Sequence, residues 1–258
     1  MVKDLVNGYV TSETHKGVTT IEFFHPQSNS LPHRILEDLA NEIHAYGHDK
    51  ETKVIVIRSA GEKAFCAGAS FEELTNIKDA KKGFEFFSGF ANVINAMRKS
   101  TKFIIGRIQG KCVGGGVGLV AGMDYAIAME GAEIKLSELS IGIGPFVIGP
   151  AVQRKIGLSS FTQLAIDSTM WRNADWARRK GLYAELHATV EGMDESISRL
   201  ANQLAHSNPE AMAEMKKMFW EGTENWDDLL CDRAETSGRL VLSSFTSEAI
   251  SKKLTVKK

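Results

Sequence analysis

The sequence has few of the features that mark secreted or membrane proteins. Its three cysteines are odd in number and widely separated along 258 residues, namely Cys66, Cys112 and Cys231. This excludes a disulfide framework and a CxxC-type zinc site, and it favours a reducing compartment. No apolar run approaches the ~18 to 20 residues of a membrane span. The first twenty residues contain no apolar segment of the kind found in a secretory signal.

The chain also lacks an excess of charge of either sign. Lys and Arg number 31 against 32 for Asp and Glu, a formal net charge of −1. A balanced charge predicts neither a nucleic-acid partner nor a polybasic membrane contact. Hydrophobic residues make up 43% and charged residues 24% of the chain, the proportions of a globular protein with a substantial core. We expect a cytoplasmic protein.

Strand and helix patterns alternate over the first part of the chain. β-Branched and apolar runs predict strands at 18–24, 54–57, 103–108 and 125–129. Helical spacing of apolar residues predicts helices at 31–46 and 80–99, and a short one ending at 122. From about residue 147 onward the pattern is almost wholly helical. This order predicts an α/β core followed by a helical region.

Two of the predicted strands run into glycine-containing junctions, at Phe65–Ser70 and Gly114–Gly118. Glycine lets the backbone approach a ligand closely, and the first N–H groups of a helix have no intrahelical acceptor. Two such junctions side by side would direct two N–H donors at one carbonyl oxygen, which is an oxyanion hole. Alternatively, the glycines only allow tight packing of strand on helix. Both interpretations are open from the pattern alone.

One carboxylate lies in an unusually apolar stretch. Glu138 is surrounded by apolar and small residues between Ile134 and Pro145. Such surroundings raise the pKa of a carboxyl group towards neutrality, as a general acid or base requires. A structural glutamate at a helix start would show the same pattern.

Three other patterns are weaker as functional signals. Gly116–Ala121 fits a dinucleotide fingerprint, but the preceding strand is short and Asp124 begins the next element too soon for a crossover helix. His44 and His48 are four residues apart with no third ligand in view, which is typical of a helix surface. Cys66 has no histidine nearby in sequence and is expected to be inert packing.

Several short motifs follow one another in a definite order along the chain. They are Asn29–Leu31, Ala64–Ala69, Gly110 with Gly114–Gly116, Asp124, Ser137-Glu138 with Gly142 and Pro145, Gln153-Arg154, and Ala177–Leu182. In this order and spacing they resemble the crotonase superfamily, the enoyl-CoA hydratase/isomerase family, over nearly the whole chain. The resemblance implies an α/β, crotonase-like spiral of repeated ββα units. It further implies an acyl-CoA site within residues 1–190 and a C-terminal helical oligomerisation region at 191–258, in a homotrimer or homohexamer.

The resemblance also assigns roles to individual residues. Ala69 and Gly115 stand where the family has its two oxyanion N–H donors, and Glu138 stands at the second catalytic glutamate. The residues implied to contact substrate or coenzyme A are Ala67, Gly68, Gly114, Gly118, Pro145 and Phe146. The basic tail, with Lys252 and Lys253, is a weaker candidate for the phosphates. No metal and no separate cofactor are implied, because coenzyme A arrives as part of the substrate.

Two departures from the family pattern bear on the reaction. Hydratases carry their first catalytic glutamate where this chain has Gly118, so one carboxylate remains. Phe146 replaces the nucleophilic aspartate of the related dehalogenases and the extra acid of dienoyl-CoA isomerases. One base with an oxyanion hole is the simplest machinery for double-bond isomerisation. Hydration, including that of a branched substrate such as methylglutaconyl-CoA, and a non-catalytic acyl-CoA binder are the alternatives.

Overall fold

The structure, a computed structural model, describes the backbone of residues 3–256 and the side chains of residues 3–252. The described strands are β1 Tyr9–His15, β2 Val18–Phe24, β3 Ser30–Leu31, β4 Val54–Ser59, β5 Ala64–Cys66, β6 Gly68–Ala69, β7 Phe103–Ile108, β8 Lys111–Val113, β9 Tyr125–Met129, β10 Ile134–Lys135 and β11 Glu185–His187. The described helices are α1 His33–His48, α2 Phe71–Thr75, α3 Ala80–Lys99, α4 Gly115–Gly122, α5 Gly149–Ile166, α6 Ala174–Arg179, α7 Val190–Ala205, α8 Pro209–Phe219, α9 Trp226–Leu240 and α10 Ser244–Val256, with a 3-10 turn at Leu139–Ile141. None of these helices is long and apolar enough to cross a membrane.

The main sheet is covered by helices on both faces. Its six strands lie in the order β1-β2-β4-β7-β9-β11, and all pairs except β1 with β2 are parallel. Alternate residues of β4 enter different clusters: Ile55 and Ile57 join the large core, whereas Val54 and Val56 pack with Met193 of α7. A strand buried on both faces needs an unbroken apolar run, which explains the pattern at 54–57.

The chain repeats a two-strand-and-helix unit. From β2 to β9, each strand of the main sheet is followed by one or two short strands and then by helix, in the successions β2-β3-α1, β4-β5-β6-α2-α3, β7-β8-α4 and β9-β10-α5. The short strands pair among themselves in two small parallel sheets, β10-β8-β5 and β3-β6. The predicted α/β architecture of repeated ββα units is therefore confirmed.

The described stretch after residue 147 is almost wholly helical, as predicted. The exception is β11 at Glu185–His187, which adds a parallel strand to the sheet beside β9. Three half-buried residues carry too short an alternation to indicate a strand. Only the non-local pairing with β9 stabilises it. By contrast, the strands at 18–24, 103–108 and 125–129 and the helix at 80–99 have the predicted bounds.

The C-terminal helices pack directly on the core of the same chain. Gly83 of α3 and Gly238 of α9 meet so closely that a Cβ on Gly83 would lie 2.8 Å from the Cα of Gly238. Lys216 of α8 donates to the carboxylate of Asp124 at 2.6 Å, and both side chains are buried. Breaking a buried ion pair costs about 3–5 kcal/mol, so this contact anchors α8 to the sheet.

Candidate active site

The three candidate segments leave the same edge of one small sheet. Strands β5, β8 and β10 run parallel, with Cys66 opposite Cys112 and Lys135 opposite Val113. Each strand is followed at once by a candidate segment, which contains Ala69, Gly115 or Glu138. The carboxyl ends of parallel strands meet at one edge of a sheet, where α/β proteins bind their ligands. Register, rather than sequence proximity, brings the segments together.

The two glycine junctions are in contact. Gly68 has a φ of +92°, and a Cβ there would lie 2.9 Å from the carbonyl oxygen of Val113 and 3.5 Å from the nitrogen of Gly115. Gly115 is the first residue of α4, and the first N–H groups of a helix carry partial positive charge without an intrahelical acceptor. A glycine at 68 is thus required for the close approach of the two junctions.

Glu138 lies against the second junction. A Cβ on Gly114, whose φ is +53°, would stand 2.8 Å from Oε1 of Glu138. The turn that follows holds the residue in place, because the backbone carbonyl of Glu138 accepts hydrogen bonds from the N–H groups of Ile141 and Ile143 at 3.1 and 3.2 Å. Gly142, with a φ of +82°, reverses the chain within this turn.

The surroundings of the Glu138 carboxyl group favour its protonated form. Its Oε2 atom is buried and has no hydrogen-bond partner among the described residues. Burial raises the pKa of Glu138 to about 7, and the backbone N–H groups of Glu138 and Ser137 offset this only in part. A carboxyl group with a pKa near the working pH can both accept and return a proton. The pKa is raised in the direction that its apolar sequence surroundings predict.

These segments line one cavity of about 460 Å³. Its mouth is polar, since the exposed residues Gln27 and Ser28 lie there. The remaining lining residues are Ser30, Ala67, Gly68, Ala69, Phe71, Leu74, Phe86, Phe87, Phe90, Val113, Gly114, Gly115, Ser137, Glu138, Ile141, Ile143, Gly144, Pro145, Phe146, Val147, Ile148 and Ser237. Most of these remaining lining residues are apolar. The cavity thus suits a ligand with a polar end and an apolar end.

Eight of the nine residues singled out from the sequence line this cavity, and Gly118 does not. The eight are Ala67, Gly68, Ala69, Gly114, Gly115, Glu138, Pro145 and Phe146. Gly118 is buried on α4 behind Ile148, and a Cβ on Gly118 would overlap Cγ2 of Ile148. Gly118 therefore does not line the cavity, because an isoleucine side chain covers it, and its contact with a ligand stays a prediction.

Sequence reasoning missed the aromatic wall of the cavity. Phe86, Phe87 and Phe90 of α3 all line it, and a Cβ on Gly115 would overlap the ring of Phe90. The available signal was the i, i+4 spacing of Phe86 and Phe90, which places them on one helix face. Ser237 of α9 also lines the cavity, so a residue beyond the predicted 190/191 boundary contributes to the site.

Two weaker candidates are not among the residues that line the cavity. Cys66 is buried below the first junction, and burial raises the pKa of its thiol to about 12, so it stays protonated and unreactive. Lys252 is exposed on α10, while the side chain of Lys253 lies outside the described residues. A role of these lysines in binding phosphate stays a prediction.

Comparison with known proteins identifies relatives of this chain. A probable enoyl-CoA hydratase of Rhizobium meliloti (strain 1021) is 28% identical over 204 residues, covering 78% of this chain and 77% of that protein. A carnitinyl-CoA dehydratase of Proteus mirabilis (strain HI4320) is 27% identical, covering 80% and 78%.

A solved enoyl-CoA hydratase from Bacillus halodurans shares the fold. It superposes with a TM-score of 0.87 over 95% of this chain and 99% of that one, at 20% identity. The family model described as enoyl-CoA hydratase/isomerase matches residues 13–253, nearly the whole sequence. The chain therefore belongs to the enoyl-CoA hydratase/isomerase family.

Proposed function

We propose that this enzyme moves the double bond of an enoyl-CoA thioester from the 3,4 to the 2,3 position. The observation that carries the proposal is the unpartnered, buried Oε2 of Glu138 beside the two glycine junctions. Enzymes of this family act on acyl-CoA thioesters, and the cavity has a polar mouth and an apolar far wall that suit such a ligand.

The reaction needs one base and one oxyanion site. The thioester oxygen would accept hydrogen bonds from the N–H groups of Ala69 and Gly115, which acidifies the protons on C2. The carboxylate of Glu138 takes a C2 proton, and the electron pair moves into the thioester to form an enolate. The protonated carboxyl group then returns the proton at C4 as the double bond shifts to C2 and C3. Atoms and charge balance without a metal or a second carboxylate.

The surroundings of Gly118 support isomerisation over hydration. A hydratase of the two-glutamate type holds a water between two carboxylates, and the first would project from position 118. Here the side chain of Ile148 packs on Gly118 and occupies that space. A water cannot be held between two carboxylates where an aliphatic side chain lies. Glu138, the remaining base, would therefore transfer a proton between carbon atoms of the acyl chain.

A paired rate measurement tests the assignment. We expect purified protein to convert 3-hexenoyl-CoA to the conjugated 2-enoyl ester far faster than it hydrates crotonyl-CoA. Conjugation is followed by absorbance, and hydration by separation of the 3-hydroxy ester. Rapid hydration with negligible double-bond migration would overturn the isomerase assignment.

Hydration is the second candidate because one polar side chain remains beside Glu138. Ser137 is half-buried and lines the cavity next to the catalytic candidate. A serine hydroxyl can both donate and accept a hydrogen bond, and so could position a water for Glu138. Relatives named as a hydratase and a dehydratase are in keeping with this candidate.

The pKa of Glu138 predicts how the rate depends on pH. The free enzyme must hold Glu138 as a carboxylate to take the C2 proton, and its pKa is raised to about 7. We therefore expect kcat/KM to reach half of its maximum near pH 7, to level off at higher pH and to fall about tenfold for each pH unit below 7. The measurement is kcat/KM for 3-hexenoyl-CoA from about pH 5 to about pH 9. A profile with its midpoint near 4.5 would contradict the buried, unpaired environment.

A further inference from the structure

We infer that the acyl pocket takes short-chain enoyl-CoA esters, and that Phe86 is the residue that ends the pocket. This inference rests on the proposed function, since it assumes that the thioester lies between Ala69 and Gly115. Three observations carry it: the direction of the cavity, the spacing of the phenylalanines on α3 and the packing behind Phe86.

The cavity has a defined entrance and a defined end. Gln27 and Ser28 at one side are exposed to solvent, as the polar coenzyme A portion of the ligand requires. Phe86 and Phe90 also line the cavity but are only 6% and 5% exposed, so we place them at its closed end. An acyl chain that starts at Gly115 must therefore extend towards the buried phenylalanines.

The depth of this pocket follows from helix geometry. The ring of Phe90 packs on the Cα of Gly115, so Phe90 marks the level of the thioester carbonyl. Phe86 lies four residues away on the same face of α3, an axial displacement of about 6 Å. An extended chain advances about 1.2 Å per bond, which leaves room for about five bonds beyond the carbonyl carbon.

The end of the pocket is backed by well-packed side chains. Phe86 belongs to a separate apolar cluster, here named the acyl-end cluster, whose buried residues are Leu74, Phe86, Ile141, Ile143, Val241 and Ile250. Leu74, Ile141 and Ile143 line the cavity beside Phe86, and the other two residues lie behind this lining. The ring of Phe86 meets that of Phe87 edge to face, with centroids 5.1 Å apart. Because Val241, directly after α9, and Ile250 of α10 belong to this cluster, a longer chain would have to displace packed side chains of the C-terminal region and not merely solvent.

Chain-length profiles of two substitutions test the inference. We expect the wild-type kcat/KM to fall at least ~10-fold from 3-hexenoyl-CoA to 3-dodecenoyl-CoA, the scale at which a hydrophobic pocket discriminates size. Phe86→Ala should raise the dodecenoyl-to-hexenoyl ratio at least ~10-fold, and Phe86→Leu, which removes less volume, should raise it by a smaller factor. Phe84→Ala is the matched control, since Phe84 is on the same helix but does not line the cavity. Its ratio should equal that of wild type.

Binding of saturated esters separates this inference from the proposed reaction. Calorimetry with hexanoyl-CoA and dodecanoyl-CoA reports pocket depth without any chemistry. Tighter binding of hexanoyl-CoA, together with no double-bond migration at any length, would support the short pocket and overturn the isomerase assignment. Equal binding of the two esters by wild type, or an unchanged ratio in folded Phe86→Leu protein, would overturn the short pocket.

Discussion

Replacing Glu138 with Gln is expected to lower kcat for double-bond migration by at least ~10²-fold, the usual scale of a positioned general base. Glutamine keeps the size of the side chain and its place against Gly114, but it cannot take the C2 proton. Because the change acts on the proton-transfer step, kcat should fall while the Kd for hexanoyl-CoA stays within a few-fold of wild type. Steady-state rates and calorimetry on the same preparations give both values.

The matched control is Glu133→Gln, in the same part of the chain. The carboxylate of Glu133 pairs with Lys111 at 2.8 Å and does not line the cavity. This variant should retain wild-type kcat. If Glu138→Gln retained full activity, proton transfer would have to be assigned to another group, and the role of the unpartnered Oε2 would be lost.

Replacing Gly115 with Ala is expected to reduce kcat by about 10²–10³-fold, the loss measured when one oxyanion donor is removed. The N–H group is retained, but the added methyl group would overlap the ring of Phe90. The first turn of α4 must then shift, which moves the donor away from the thioester oxygen. Single-turnover rates measure the effect on chemistry apart from product release.

Two further variants identify the cause of this loss. Gly131→Ala adds the same methyl group where no atom lies within 4 Å, so it should leave the rate unchanged. Gly115→Ala combined with Phe90→Leu relieves the overlap, and the double variant should recover activity relative to Gly115→Ala alone. No recovery, with both proteins folded by circular dichroism, would show that the overlap with Phe90 does not cause the loss of activity.

The sequence pattern was sufficient to predict a feature wherever that feature depends on one short stretch of chain. The strand predicted at 18–24 and the helix predicted at 80–99 have the observed bounds, because the periodicity of a strand or a helix appears in consecutive residues. The apolar surroundings of Glu138 likewise indicated its raised pKa. The short strand β11 was missed because its partner β9 lies far away in sequence.

The sequence by itself determined the α/β class, the two glycine junctions and the single carboxylate, since each depends on residues that are neighbours in the chain. Only the tertiary structure decided what surrounds them. Gly118 shows in sequence that a carboxylate is missing, but not that Ile148 fills its place. The aromatic wall exists because α3 packs beside the first turn of α4, so that Phe90 meets Gly115. Pocket shape depends on contacts between distant segments, and a linear pattern does not record such contacts.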